Sequence, residues 1–274
     1  MVSLNTNIAA LDALRLVNIN NNNLAKTQQR LSSGLRINSA ADDPSGLGIA
    51  QALTSQINGD TVASNNNIQQ AQSMLKVVDA GLAQIGDILQ RQRELAVQAN
   101  NSALSTSEAN ALQSEFSSLN TAIDNIANGS TFNGKVLLDG SAGNITIQIG
   151  AQQSQTTTLA LNVDFRSTGT LNTSGENIST TAGAQNAQNV LDTAIDTLNT
   201  DRAQFGAKAQ ELDYLKGALD STIIANTDAR SRITDADVAS EVSNLVRQQL
   251  LQQAGTSALS SANFAPQFVL SLLK

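Results

Sequence analysis

Four carboxylates stand in two close groups, Asp42 with Asp43 and Asp235 with Asp237, and no other residues of this sequence are better spaced for chemistry. Acids so placed could suggest a site for a divalent cation, whereas nothing in the sequence assembles a carboxylate pair for general-acid and general-base work. Each of the four lies at a predicted helix start. There an acidic side chain accepts free backbone N–H groups and complements the helix dipole, so capping and linker roles are the expectation. The chain contains no His and no Cys. The commonest general base and the commonest metal ligand are thereby missing, and no disulfide, thiol nucleophile or thiolate site can form. Triplets with sequon spacing begin at Asn128, Asn144, Asn172 and Asn177, but in a chain so rich in Asn, Ser and Thr they carry little information. The sequence reads as that of a non-enzyme with no catalytic residue, no metal and no cofactor.

The elements that carry these residues are long helices. Of 274 residues only 3% are aromatic, with no Trp and one Tyr, whereas 41% are hydrophobic and 14% charged. That balance excludes wholesale disorder, and it suits helices that meet along seams of Leu, Ile, Val and Ala. The net charge of −7 argues against a nucleic-acid partner. No apolar run is long enough to cross a bilayer, so no membrane partner is expected. The amino end lacks the basic segment and apolar stretch of a secretory signal. Taken alone, these features predict a soluble, cytoplasmic chain.

Heptad spacing is the clearest signal. Ile68, Leu75, Leu82 and Leu89 step by seven, with Ala71, Val78 and Ile85 between them. Leu112, Phe116, Leu119, Ile123 and Ile126 make a second stripe. Leu191, Leu198, Phe205, Leu212 and Leu219 make a third, flanked by Ile195, Ala209 and Ile223. The predicted rod core is Leu75, Leu82, Leu89, Leu112, Phe116, Leu198, Phe205, Leu212 and Leu219. Asp43 before Pro44 opens the first long helix, which extends to Asn100-Asn101-Ser102. Ser105-Thr106-Ser107-Glu108 has the spacing of a capping box, and Asn128-Gly129 closes that helix. A third long helix opens near Ala182 and fades around Asn226-Thr227.

Between the second and third helices the period changes to two. Ile145, Ile147 and Ile149, then Leu159, Leu161 and Val163, predict a hairpin or meander, with residues 135–138 as an extra strand. Residues 167–181, rich in Ser, Thr, Gly and Asn, predict a loop at the far tip. The fold class is therefore mainly α: a long antiparallel helical coiled-coil rod with a small β element and paired N- and C-terminal helices.

The two ends differ from the middle. Leu4, Ile8 and Leu11 begin a stripe that Leu24 and Leu31 continue, interrupted by Asn18 and the four Asn of residues 20–23. At the other end Val238, Val242 and Leu245 form a stripe, with Val246 and Leu250 beside it. There Gln248, Gln249, Gln252 and Gln253 stand where a monomer would want Leu. Both ends predict helices completed only by neighbours.

Several segments resemble those of bacterial flagellins. They include Leu31-Ser32-Ser33-Gly34-Leu35-Arg36-Ile37-Asn38-Ser39-Ala40, residues 89–98 (LQRQRELAVQ), Thr131-Phe132-Asn133-Gly134 and Ile147-Gln148-Ile149-Gly150-Ala151. At the carboxyl end they include residues 229–237 (ARSRITDAD), Gln252-Gln253-Ala254-Gly255-Thr256-Ser257 and Val269-Leu270-Ser271-Leu272-Leu273. The resemblance covers nearly the whole chain. Larger flagellins carry outer domains where this chain has only residues 167–181.

The resemblance implies a subunit that self-assembles into the flagellar filament, outside the cell, for motility. It implies an inner coiled-coil domain from residues 1–43 and 232–274. The rod domain would comprise residues 44–181 and the C-terminal rod helix 182–231. Polymerisation would rest on Leu4, Ile8, Leu11, Leu24, Leu31, Val238, Val242, Leu245, Leu250, Leu270, Leu272 and Leu273. Implied partners are many copies of the chain, the flagellar type III export apparatus and its chaperone, and the cap and hook-junction proteins. In the family, the face matching Gln90, Arg91 and Glu94, with Leu95 beside them, binds an animal Toll-like receptor. A contact between neighbouring rods is the expected primary role of the same face, which a host receptor would then exploit. The final apolar segment is read by cytosolic inflammasome receptors in the family, and burial in an assembly is the simpler expectation for it. A hook–filament junction protein of the same fold, or a heptad-rich signalling rod, are the alternatives.

Overall fold

The computed structural model describes residues 6–272, with side chains described through residue 264. Leu4 and Leu273 lie outside the described residues, as do the side chains of Leu270 and Leu272. The chain divides into two compact units: a terminal unit from residues 1–55 and 225–274, and a central unit from residues 56–224. The divisions fall inside two helices, α2 (Pro44–Val62) and α5 (Thr181–Thr234).

In the central unit, α2 passes through a π-helical turn, Ala63–Ile68, into α3 (Gln69–Ala99). The turn contains Asn65, Asn66 and Asn67, whose poor helix propensity lets one extra residue be accommodated. Ser64 donates to Asp220 on α5 at 2.7 Å, and Asn67 donates to the carbonyl of Gln148 at 2.9 Å. The next helix, α4 (Thr106–Gly129), opens on a full capping box between Ser105 and Glu108. Gly129 stays helical, and Ser130 is the residue that ends α4, its N–H bonded to the Ile126 carbonyl.

Two separate hairpins follow. β1 (Thr131–Phe132) pairs with β2 (Lys135–Val136) across Asn133 and Gly134, both at positive φ. β3 (Gly143–Gln148) pairs with β4 (Thr156–Leu161), Ile145 facing Leu159 and Ile147 facing Thr157. Lys135 and Val136 thus pair with β1, and they add no strand to the β3–β4 hairpin. The physical reason is local: the Asn-Gly turn closes a two-residue hairpin before the chain can reach farther.

The core joins α3, α4 and α5 with the β4 side of the second hairpin. Leu75, Leu82, Leu89, Phe116, Leu198, Phe205 and Leu212 are buried in it, while Leu112 and Leu219 pack against it half-buried. α5 does not fade at Asn226 but continues to Thr234.

Residues 167–181 are not a free tip. Ser167, Leu171, Thr173 and Ile178 are buried, and polar groups of α4 hold the backbone down. Asp124 accepts from the Ser167 N–H at 2.7 Å, and Gln113 accepts from the Ile178 N–H at 2.6 Å. Asn120 donates to the Thr173 carbonyl at 3.2 Å and accepts from its hydroxyl at 2.9 Å. Buried Gln92 of α3 completes the network by donating to Asn120 at 2.8 Å. The low-complexity composition concealed these two apolar anchors, Leu171 and Ile178.

Candidate functional site: the paired terminal helices

α1 (Ile8–Ser33) and α6 (Val238–Leu272) lie against each other in the terminal unit. Asn7 caps α1 by accepting from the Ala10 N–H, and α1 runs unbroken through Asn18 and residues 20–23. Asp237 caps α6, its side chain accepting from Ala239 at 3.0 Å. The pair is antiparallel: Asn7 donates to the Ala262 carbonyl at 2.7 Å, and Gln252 donates to Asn21 at 3.0 Å. Farther along, Arg30 meets Glu241 at 3.2 Å. Where Val17 approaches Gly255 the helices are so close that a Cβ on Gly255 would stand 2.9 Å from Val17 Cγ2.

The residues turned into this seam are mostly small or polar, with a few Leu among them. On α1 they are Ala10, Ala13, Val17, Asn20, Leu24, Thr27 and Leu31, and on α6 Glu241, Leu245, Gln248, Gln252, Gly255, Leu259 and Ala262, all buried or half-buried. Gln248 Oε1 is buried with no hydrogen-bond partner.

Most of the large apolar residues of the two helices are exposed instead. Ile8 is 67% exposed, Leu11 57%, Val238 58%, Val242 45% and Leu250 61%. Leu14, Leu16, Ile19, Val246 and Leu251 are exposed as well. The single stripe expected to join Ile8 and Leu11 to Leu24 and Leu31 is therefore two faces. At about 100° per residue, the thirteen residues from Leu11 to Leu24 carry the chain to nearly the opposite side of the helix. Val242, about 60° around the helix from Leu245, likewise stays exposed while Leu245 faces α1. Val238, a heptad before Leu245 and on nearly the same side, is exposed as the first residue of α6.

The ends of the two helices are tied by backbone. Gly34 caps α1 at φ 71°, in the left-handed region that favours glycine. This turns the chain so that Leu35 forms an antiparallel bridge with Asp235. The Ala236 N–H donates to the Gly34 carbonyl at 2.9 Å and the Arg36 N–H to the Thr234 carbonyl at 2.6 Å. The Arg36 guanidinium adds a bond to the Ile233 carbonyl at 2.6 Å.

The four carboxylates singled out by spacing are all engaged locally. Asp42 accepts from the Ser39 hydroxyl and from the Ser39 and Asn38 N–H groups. Its pKa is lowered, chiefly by the Ser39 hydroxyl. Asp43 caps α2 through the Gly46 N–H at 2.9 Å, Asp237 caps α6, and Asp235 accepts from Ser231 and Thr234. Among the described residues no three acids gather as a cation site.

On the outer face of α3, Gln90, Arg91 and Glu94 are exposed. Arg91 bonds Glu115 of α4 at 2.8 Å and Glu94 at 3.1 Å, and the Glu115 bond is the larger cause of its raised pKa. Leu95 is fully buried, so it belongs to the core and not to this face. The exposed apolar residue there is Val97, which sequence reading passed over. Arg93 pairs with Asp192 of α5 across the α3–α5 seam.

Such a chain is structural: long helices around one core, and two ends paired through a seam of mostly small and polar residues with most of their apolar surface exposed. A model of the bacterial flagellin N-terminal helical region matches residues 4–143, and one of the C-terminal helical region matches residues 188–273. A flagellin of Halalkalibacterium halodurans is 35% identical over 272 residues, 99% of each chain. The flagellin of Bacillus subtilis is 34% identical over 305 residues, and flagellin FlaB2 of Treponema pallidum 36% over 287, each alignment spanning 99% of both chains. The crystal structure of Bacillus cereus flagellin superposes with a TM-score of 0.50 at 36% identity, covering 55% of this chain and 86% of that one. The chain belongs to the bacterial flagellin family. It is a structural subunit that self-assembles into the flagellar filament, outside the cell.

Proposed function

We propose that copies of the chain join through the outward faces of α1 and α6, with Ile8, Leu11, Val238, Val242 and Leu250 as principal contacts. Leu24, Leu31 and Leu245 act differently, holding the two helices of one copy together. The observation that carries this is the distribution described above: small and polar residues hold most of the seam inside the pair, whereas most of the large apolar side chains are exposed. Burying a Leu, Ile or Val side chain contributes roughly 1.5–3 kcal/mol. A patch of such residues has no reason to face water in a monomer and a strong reason to meet an identical patch. Leu4, Leu270, Leu272 and Leu273 extend the same role beyond the described side chains. Residues 1–43 and 232–274 act as the inner coiled-coil domain, and residues 44–231 as the rod domain.

Family membership extends the proposal to the other partners. The chain reaches the outside through the flagellar type III apparatus with a chaperone, and meets cap and hook-junction proteins at the filament ends. The exposed Gln90, Arg91 and Glu94 serve contacts between neighbouring central units. An animal Toll-like receptor would read that assembly surface.

Electron microscopy after salt-induced polymerisation tests the core of the proposal. The full chain should form smooth filaments. Leu11→Asp/Val246→Asp should form none while the central unit keeps its melting temperature. Normal filaments from that variant would place the contacts elsewhere.

A further inference from the structure

The α1–α6 seam is poorly built for choosing its own alignment. Its interior residues alternate at heptad spacing on both helices, so a slide of seven residues would again bring seam residue against seam residue. Along its length a slide would break single hydrogen bonds, Asn7 to Ala262 and Asn21 to Gln252, and move Val17 off Gly255. One end carries stronger fastenings. There Arg30 pairs with Glu241, whose side chain is 11% exposed, and the bridge of Leu35 with Asp235 fastens the backbone one turn away. Removing Glu241 from Arg30 would leave a nearly buried carboxylate unpaired.

We infer that the Arg30–Glu241 ion pair and the Gly34-dependent bridge form a register lock that dominates the alignment of α1 with α6, the remaining seam being too weak to hold it unaided. This rests on the reading that the outward faces of the pair join copies. Sliding one helix by a heptad moves its outer face by about 10 Å relative to the other. Ile8 and Leu11 would then stand level with different residues of α6, and the surface offered to a neighbour would change. The lock is thus a positioning device for assembly: buried polar contacts specify the arrangement, and apolar contacts outside it supply cohesion. Gly34 is the element of the bridge that a side chain can undo. A Cβ there meets nothing within 4 Å, so a substitution acts through its φ of 71° alone.

The absence of Cys makes register directly readable. Asn21→Cys/Gln252→Cys reports the observed alignment, whereas Asn21→Cys/Leu245→Cys and Asn21→Cys/Leu259→Cys report slides of one heptad either way. Each pair is introduced into the full chain, into an unlatched chain (Arg30→Met/Glu241→Leu/Gly34→Val) and into a charge-exchanged chain (Arg30→Glu/Glu241→Arg). Filaments are oxidised and intramolecular disulfides are read by non-reducing electrophoresis. The full and charge-exchanged chains should give only the in-register product, the disulfide of the Asn21→Cys/Gln252→Cys pair. The unlatched chain should lose most of that product and gain the slid ones. If the unlatched chain does not assemble, the same readout on the soluble protein decides. An unlatched chain that gives only the in-register product overturns the lock, because the seam would then set register unaided. So does a charge-exchanged chain that slides like the unlatched one. Failure of the unsubstituted chain to form filaments would instead count against the outward-face reading, and leave the register result standing.

Discussion

Gly255 of α6 sits tightly against Val17 of α1: any side chain on Gly255 would stand within 3 Å of Val17 Cγ2. Gly within a helix costs about 1 kcal/mol relative to Ala, so its presence here is explained by the close approach. Gly255→Leu should force the helices apart and abolish polymerisation, with the melting temperature of the central unit unchanged. Gly255→Ala should be mildly defective, and Val17→Ala in addition should restore it by vacating the clashing methyl. Sedimentation of polymer from monomer measures all three.

In the central unit, Leu212 is wholly buried whereas Phe205 sits at the edge of the core, 8% exposed and lining grooves on two sides of α5. A buried unpaired carboxylate costs several kcal/mol, on the order of 3–5. Leu212→Asp should therefore lower the melting temperature more than Phe205→Asp, which can turn its charge toward water. Calorimetry giving the reverse order would mean that the α5 seam is rotated.

The segment at 167–181 should tolerate insertion only where it is unanchored. Gly175 is exposed and open, so a short epitope after Ser174 should leave stability and filament formation nearly intact, since lengthening a loop costs little entropy. The same epitope after Asn172 would pull Thr173 from Asn120 and should destabilise the central unit. Thr173→Ala alone should cost about 1–3 kcal/mol, by removing one of the donors to buried Asn120. Equal tolerance at the two sites, in denaturant melts, would refute the anchoring.

Acid should destabilise the central unit, and neutral pH should leave it untouched. The pKa of Asp164 is lowered chiefly by the Arg166 side chain, that of Asp220 by Ser64 and then Lys216, and that of Glu211 by Lys208. Each folded pKa lies below its unfolded value, so each group stabilises above the unfolded pKa and loses that stabilisation as pH falls through the folded one. Asp201, raised by desolvation, works in the opposite direction. With no His to titrate, the melting temperature should stay flat from about pH 5.5 to 9 and decline below about pH 5. A transition near pH 6.5 would require some other group.

The terminal pair should be the first part of the monomer to open. Only Val17 and Thr27 of α1 are buried, while ordering costs roughly 1–2 kcal/mol per residue. Limited proteolysis of the monomer should cut within α1 and α6 and leave a resistant fragment containing residues 56–224. The filament should protect the same sites. Equal resistance in monomer and filament would show that the pair is stable without neighbours.

Heptads at Leu75, Leu82 and Leu89, and at Leu198, Phe205 and Leu212, made the seams of the central unit legible in the sequence. So did the Ser105 capping box and the alternation at Ile145 and Leu159. All of these are local: a period or a cap depends on residues within a few turns of one another. The sequence also carried, in motifs at both ends, the resemblance from which the filament role followed.

Tertiary structure decided which face found a partner. Sequence periodicity groups Ile8 with Leu11 and Leu24 with Leu31, but only the position of α6 makes one group a seam and leaves the other exposed. Leu95, adjacent in sequence to exposed Glu94, turned inward because α3 is covered on that side. Leu171 and Ile178 became anchors because Asn120, Asp124 and Gln113 stand across from them. The segments around Leu35 and Asp235, two hundred residues apart, pair only because Gly34 takes the left-handed turn that brings them together. Burial is a property of what lies opposite, and no local pattern encodes it.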